Sequence, residues 1–324
     1  MSADNDACAV ERQYDAVGRL VKEQQGKHTV ESEYDAAGNR VARRSSLGDS
    51  TRFGWDENGQ LASLQGPGGA QALQFDYDSR QDEVRRYVPR GVQIEQHFDA
   101  RGRKVAQLVG GAGASAAEIQ RRYRYDAASN LTEVEDAHWG RTRYAYDSLG
   151  RMLSAHLPGH IVEKLSHDET DNVTAVTRQG EDGLWTEEPL AYGPGNVLVR
   201  RGEVVYEHDE LGQLVRKREG KSETRYEWNR FGQLAAVQLP GGGRWRYTYD
   251  AFGRRVEKRG ARETVEYVWD GDVVLHEVRR PTAVPIDVMA LRFGDAQPAG
   301  ISIINWEFDP DGFAPICKTE EGRR

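Results

Sequence analysis

Three observations predict an all-β fold, a long antiparallel meander of hairpins that coils on itself. An aromatic residue followed by Asp-x-x-Gly recurs along the chain, and most steps between the leading aromatics are 20 to 22 residues. Each step also holds a second, glycine-centred turn signal about half-way along. Two turns in that period leave room for two strands of ordinary length, so the unit is a hairpin. An open sheet of many such units must twist and curl.

Residues 1–11 are small and polar and read as a disordered or engineered lead. Residues 12–276 form the repeat array. Its best copy runs from Arg246 to Lys258, where Tyr247 and Tyr249 share a strand face, Asp250 opens a turn and Gly253 supplies a positive φ. The same pattern stands at Tyr14-Asp15 with Gly18, Tyr34-Asp35 with Gly38, Trp55-Asp56 with Gly59 and Phe98-Asp99 with Gly102. It returns at Tyr146-Asp147 with Gly150, His208-Asp209 with Gly212 and Trp228-Asn229 with Gly232. The second turns fall at Gln25-Gly26, Leu47-Gly48, Gly66-Pro67-Gly68-Gly69, Pro89-Arg90-Gly91, Leu157-Pro158-Gly159, Glu219-Gly220 and Leu239-Pro240-Gly241.

Where the glycine slot holds Gln81, Ser129 or Asp171 the pattern decays. Asp tolerates a left-handed backbone better than Gln, so the turn at Gln81 is expected to differ. A lengthened loop at Gly110–Ser115 stretches the step from Phe98 to Tyr125, and Tyr192–Val197 is a shortened copy. After Trp269-Asp270-Gly271, which suits a tight two-residue turn, regularity fades. Residues 277–324 therefore read as an irregular segment with final strands at Trp306–Ile316.

The 324 residues are 38% hydrophobic and 30% charged, with 14 Tyr, 7 Trp and 35 Gly. That balance suits a thin sheet wetted on both faces, and the fixed period of aromatics argues against disorder. A net charge of -8 argues against a nucleic-acid surface, which needs a Lys/Arg excess. Two cysteines, Cys8 and Cys317, provide no disulfide framework. With neither a basic-then-apolar start nor a run of 18 apolar residues, no signal peptide or membrane span is expected.

The repeated Asp residues invite a reading as acid–base pairs or calcium ligands. A turn-opening Asp that accepts from the backbone N–H two residues on explains their fixed offset more simply, and each turn offers only one carboxylate. The residues singled out are therefore structural turns: Asp15, Gly18, Asp35, Gly38, Asp56, Gly59, Asp99, Gly102, Asp147, Gly150, Asp209, Gly212, Gly232, Asp250 and Gly253. No catalytic residue, cofactor or metal ligand is assigned. His156 and His160 would share a face only on a helix, and Pro158-Gly159 between them favours a turn over a zinc pair. Aromatic pairs such as Tyr123/Tyr125, Tyr144/Tyr146 and Tyr247/Tyr249 are expected to stack as a cross-strand ladder. A sugar-binding platform is the functional alternative for the same ladder.

Aromatic-Asp-x-x-Gly-Arg/Gln/Asn-Leu/Val on this step resembles the YD repeat of the RHS (rearrangement hotspot) family from Tyr14 to Ile316. Trp269-Asp270-Gly271 and Trp306–Ile316 look like that family's pre-core stretch. The resemblance implies a hollow, non-catalytic shell that encloses a C-terminal toxin of the same polypeptide. It also implies delivery by type VI secretion or contact-dependent competition, with a secretion spike protein as a further partner. Synthesis in the bacterial cytoplasm before export goes with that reading. The family's self-cleavage site and toxin have no counterpart here: Asp309-Pro310-Asp311-Gly312 sits at the pre-core position, so no protease residue is assigned. The chain reads as shell only, a fragment, processed piece or truncated copy whose open strand edges invite self-association. The alternative is a carbohydrate or cell-surface adhesion module built on the aromatics.

Overall fold

The computed structural model describes residues 2–3, 8–66, 72–111, 118–283, 300–308 and 313–321. Among these residues the fold is all-β: 29 strands, with three 3₁₀ turns at Pro89–Gly91, Pro158–His160 and Pro194–Asn196. The chain forms two compact units, one of residues 1–72 with 224–324, the other of residues 73–223. Within each, strands adjacent in sequence pair antiparallel. The regular period of the sequence has a structural counterpart in one recurring irregularity. A register shift falls directly before each leading aromatic, as at Gln13/Tyr14, Glu33/Tyr34, Arg124/Tyr125, Ala145/Tyr146 and Thr248/Tyr249. One extra residue on the returning strand bends the sheet at the same place in every unit.

In the 73–223 unit few side chains are fully buried; Leu73, Phe75 and Ala155 are the apolar ones. Most strand residues are half-buried, as in Val173–Gln179, the thin-sheet character that the composition implies.

The other unit departs from a thin sheet. Its N-terminal hairpins pack against its C-terminal strands, and Val30 and Leu47 share a core with Val268, Leu275, Val278, Ile301 and Ile303. Strand His28–Tyr34 alternates buried and exposed positions, so one face, with His28, Val30 and Ser32, turns inward. Strand Ser302–Phe308 is buried at Ile303 and Ile304 alike, on both of its faces. The sheet is an open meander of sequential strands, and in this unit its first hairpins and last strands bury apolar faces against each other.

The turn at Tyr77-Asp78 also differs from expectation. Gln81 adopts φ 69 and its N–H donates to the Asp78 carbonyl at 3.0 Å, as Gly102 does to Asp99. The neighbouring strands impose the turn, and the side chain accepts a left-handed backbone that costs about 1–2 kcal/mol. Residues 67–71, 112–117, 284–299 and 309–312 lie outside the described residues, and with them the Pro67–Gly69 turn, most of the Gly110–Ser115 loop and Asp309–Gly312.

Candidate functional site

The recurring turns are built identically. At Asp15 the N–H donates to the Arg19 carbonyl at 3.0 Å and Gly18 N–H donates back to the Asp15 carbonyl at 3.1 Å. Oδ1 of Asp15 accepts from the N–H groups of Val17 and Arg19 at 3.0 and 2.9 Å. The same two-donor cradle stands at Asp56, Asp99, Asp147, Asp209 and Asp250, and Asn229 supplies it with an amide oxygen. Asp35 accepts from Asn39 N–H at 2.8 Å. Gly18, Gly38, Gly59, Gly102, Gly150, Gly212, Gly232 and Gly253 all lie between φ 72 and 97. Backbone donors favour the ionised carboxylate. The Arg19 N–H, ahead of other contacts, holds Asp15 below the ordinary range, and the Arg103 side chain holds Asp99 at about 2.

Two further groups tie each hairpin to the next. Where Arg follows the glycine, its Nε donates to the Asp of its own turn and its Nη1 to a backbone carbonyl of the following turn. Arg19 bonds Asp15 at 2.6 Å and the Asp35 carbonyl at 2.9 Å; Arg103 bonds Asp99 at 2.8 Å and the Asp126 carbonyl at 3.2 Å. Arg151 and Arg254 repeat this toward Asp168 and Gly271. The guanidinium also lies over the next aromatic ring, 4.9 Å from Tyr34 for Arg19 and 4.7 Å from Tyr125 for Arg103.

The aromatic itself reaches back. Tyr34, Tyr125, Tyr146, Tyr192 and Tyr249 donate their hydroxyls to the carbonyls of Leu20, Lys104, Leu131, Val173 and Leu234, each two residues past the preceding turn's left-handed position. Trp55 and Trp269 do the same with Nε1–H toward Arg40 and Arg255. At these seven positions the slot holds a flat apolar ring with a donor at its tip, while Phe98 fills it with the ring alone. Repeat rings meet guanidinium faces and carbonyls, as at Tyr34, Tyr125 and Tyr267.

A second constellation closes the unit of residues 1–72 and 224–324. Arg43, 3% exposed, donates from Nη2 to Glu307 at 2.7 Å, Thr51 at 2.9 Å and Asp49 at 3.1 Å. Its Nη1 lies 3.6 Å from Asp270, which also takes two bonds from Arg40 at 2.7 and 2.6 Å. Asn305 Nδ2 donates to Glu307 at 3.2 Å, and His276 Nε2 meets Ser45 Oγ at 2.8 Å. Gln25 grips the Trp269 backbone, donating to its carbonyl at 2.6 Å and accepting from its N–H at 2.9 Å. Lys27 and Arg280 both pair with Glu266.

Three carboxylates thus face two guanidiniums in a buried site. Burial, with Glu307 adding to it against the pull of Arg43, lifts Asp49 to about 6. Burial also acts on Asp270, but Arg40 and Arg43 outweigh it and hold that carboxyl low. Burial and Arg43 keep His276 well below the usual imidazole range. The repeat's Arg after Gly is visible in the sequence as a recurring letter; Arg43, Asp49, Asp270 and Glu307 share no spacing that could have linked them. His156 ends a strand and His160 closes the 3₁₀ turn Pro158–His160 that follows, and no group of three or more His, Cys, Asp or Glu among the described residues could hold a metal ion.

The teneurin YD-shell family model matches residues 120–266, and the RHS repeat model matches residues 34–71. This chain belongs to the RHS/YD-repeat family. Among its relatives is the double-stranded DNA deaminase toxin A of Burkholderia cenocepacia (strain H111), 31% identical over 67% of this chain and 15% of that protein. Another is the probable deoxyribonuclease RhsA of Dickeya dadantii (strain 3937), 30% identical over 74% of this chain and 17% of that protein. The RHS chain thus spans about one sixth of the length of these relatives. The solved structure of TcdB2-TccC3-Cdc42 aligns with a TM-score of 0.73 at 14% identity, over 93% of this chain and 17% of that one, a likeness of fold.

Proposed function

We propose that this chain is a non-catalytic segment of an RHS shell that encloses and neutralises a toxin carried toward the C-terminal end of the same polypeptide. The observation that carries the reading is the fate of the motif's recurring groups. Asp and Gly are consumed in building each turn, and Arg and the aromatic tip in joining one hairpin to the next, which makes wall rather than an active centre. Relatives named as a DNA deaminase toxin and a probable deoxyribonuclease, of which the matched part is only 15% and 17%, support a toxin elsewhere in a longer polypeptide. Bacterial cytoplasmic synthesis followed by type VI or contact-dependent delivery, with a secretion spike as partner, goes with that reading. No helix among the described residues is long and apolar enough to cross a membrane. The aromatic ladder offers sugars little, since the ring tips already serve the backbone.

Expression in bacteria of the parent polypeptide, with and without this segment, tests the proposal. The intact form is expected to spare the producing cell and shield its toxin region from added protease. Equal toxicity and equal cleavage of both forms would refute it.

A further inference from the structure

A cleft of about 440 Å³ opens in the 73–223 unit, lined by side chains that the wall does not use. Its polar lining is cationic or able to become so: Arg141, Arg143, His156 and His160, with Gln179 beyond them. Its floor is apolar, from Leu157 to Val162. Arg143 stands directly opposite His156 in the antiparallel register, so guanidinium and imidazole leave the same sheet face together.

The two arginines are anchored from behind. Arg143 Nε donates to Glu133 at 2.9 Å and Arg141 Nη2 to Glu135 at 2.9 Å, which leaves further N–H donors of each fork for another acceptor. Glu133 is nearly buried and has three guanidiniums near it, Arg124 at 3.4 Å, Arg141 at 3.7 Å and Arg143 at 2.9 Å; with Glu135 on Arg141, three guanidiniums face two carboxylates. The lining residues include no carboxylate, and the nearest one in view is Glu181, whose Oε1 lies 3.0 Å from where a Cβ on Gly159 would stand. His160 is held at φ 61, directly after Gly159 at φ 77, a left-handed backbone uncommon for a side chain of that size.

Two indoles neighbour the lining in sequence or register, and the Trp185 ring already carries the Lys164 ammonium at 4.7 Å. Trp139, 70% exposed, precedes Gly140, whose added Cβ would lie 3.3 Å from Pro158 in the cleft wall. Trp185, 46% exposed, pairs in register with Gln179.

The geometry points to a binding site for a small phosphate monoester, its dianionic group on the Arg141 and Arg143 forks and its body along Trp139. Guanidinium forks match phosphate oxygens in pairs, and a cleft of this volume suits a small molecule. Two fixed guanidiniums repel a divalent cation, which sets the two histidines against a metal role. The group could arrive as free phosphate, on a nucleotide or on a lipid head.

Titration calorimetry on the full chain with inorganic phosphate, adenosine monophosphate and phosphatidic acid vesicles tests this. Saturable millimolar or tighter binding of at least one probe is expected, and the probe that binds best identifies the source. Arg141→Gln and Arg143→Gln should each weaken it at least tenfold. Arg201→Gln, which loses a 2.9 Å bond to Glu188 away from the lining residues, should leave it within twofold and so separates binding from the general loss of a surface ion pair. Trp139→Ala should weaken the nucleotide and spare inorganic phosphate if the base stacks there. No saturable binding of any probe, or unchanged binding in the Arg141→Gln/Arg143→Gln double variant, would overturn the assignment.

Discussion

Asp49→Asn isolates the unbalanced charge in the buried network. Asp49 is 1% exposed and lifted to about 6 by burial and by Glu307, so the fold prefers it protonated. A carboxyl raised above its unfolded value contributes stability that is fully present below about pH 4 and is lost as pH rises through about 6. Asparagine mimics the protonated acid at every pH. Its oxygen can keep the Arg43 bond, and the amide of Asn305, whose Oδ1 has no partner in the fold, can turn to meet the new N–H donors. The variant should therefore gain on the wild type by roughly 2 kcal/mol between about pH 4.5 and 7.5. His276, held neutral by burial, destabilises both proteins alike as pH falls below the ordinary imidazole range, so it drops out of the difference. Equilibrium urea unfolding of both proteins across that window measures the quantity. A difference that stays flat with pH would refute the claim that Asp49 is the strained charge.

Arg43→Met should cost about 3–5 kcal/mol at neutral pH in the same assay, because Asp49 and Glu307 would stay buried without a guanidinium. Tyr146→Phe removes the 2.8 Å bond to the Leu131 carbonyl and should cost about 1 kcal/mol in urea, whereas Tyr144→Phe, outside the slot, should cost less. Gln81→Gly should stabilise by up to about 1 kcal/mol on release of its left-handed backbone, read as a higher urea midpoint. Gly253→Val, at φ 80 and with Gln233 Nε2 3.1 Å from the new Cβ, should lower that midpoint by more than about 1 kcal/mol of stability.

The array was legible in the sequence because its rules are local. Asp15, Gly18 and Arg19 act within one turn, and the Tyr34 hydroxyl reaches a carbonyl one repeat away, so a fixed period in the letters becomes a fixed period in space. The turn at Gln81 was misread because propensity is a local quantity and the strands on either side outvote it. Closure of the other unit was not legible, since Arg43 and Glu307 stand 264 residues apart. Nothing in either neighbourhood marks the other, and the alternation at His28–Tyr34 announces only that one face will be covered. What covers it depends on how the whole meander bends, which no single window of sequence contains.

That closure divides folding into a fast part and a late one. Hairpins bond to the next hairpin and can form as they emerge, but bringing Arg43 to Glu307 costs about 2 kcal/mol more chain entropy than a contact one repeat away. At ribosomal speed the first hairpins wait roughly 13 to 50 s for Glu307 to be made. Their inward face would be a hazard over that time if it were wholly apolar. It is not, because Arg43 already finds Asp49 and Thr51 within its own hairpin. The charges that weaken the finished seam keep the nascent one hydrated and unattractive to other chains, and they leave Arg43 oriented for the last carboxylate to arrive.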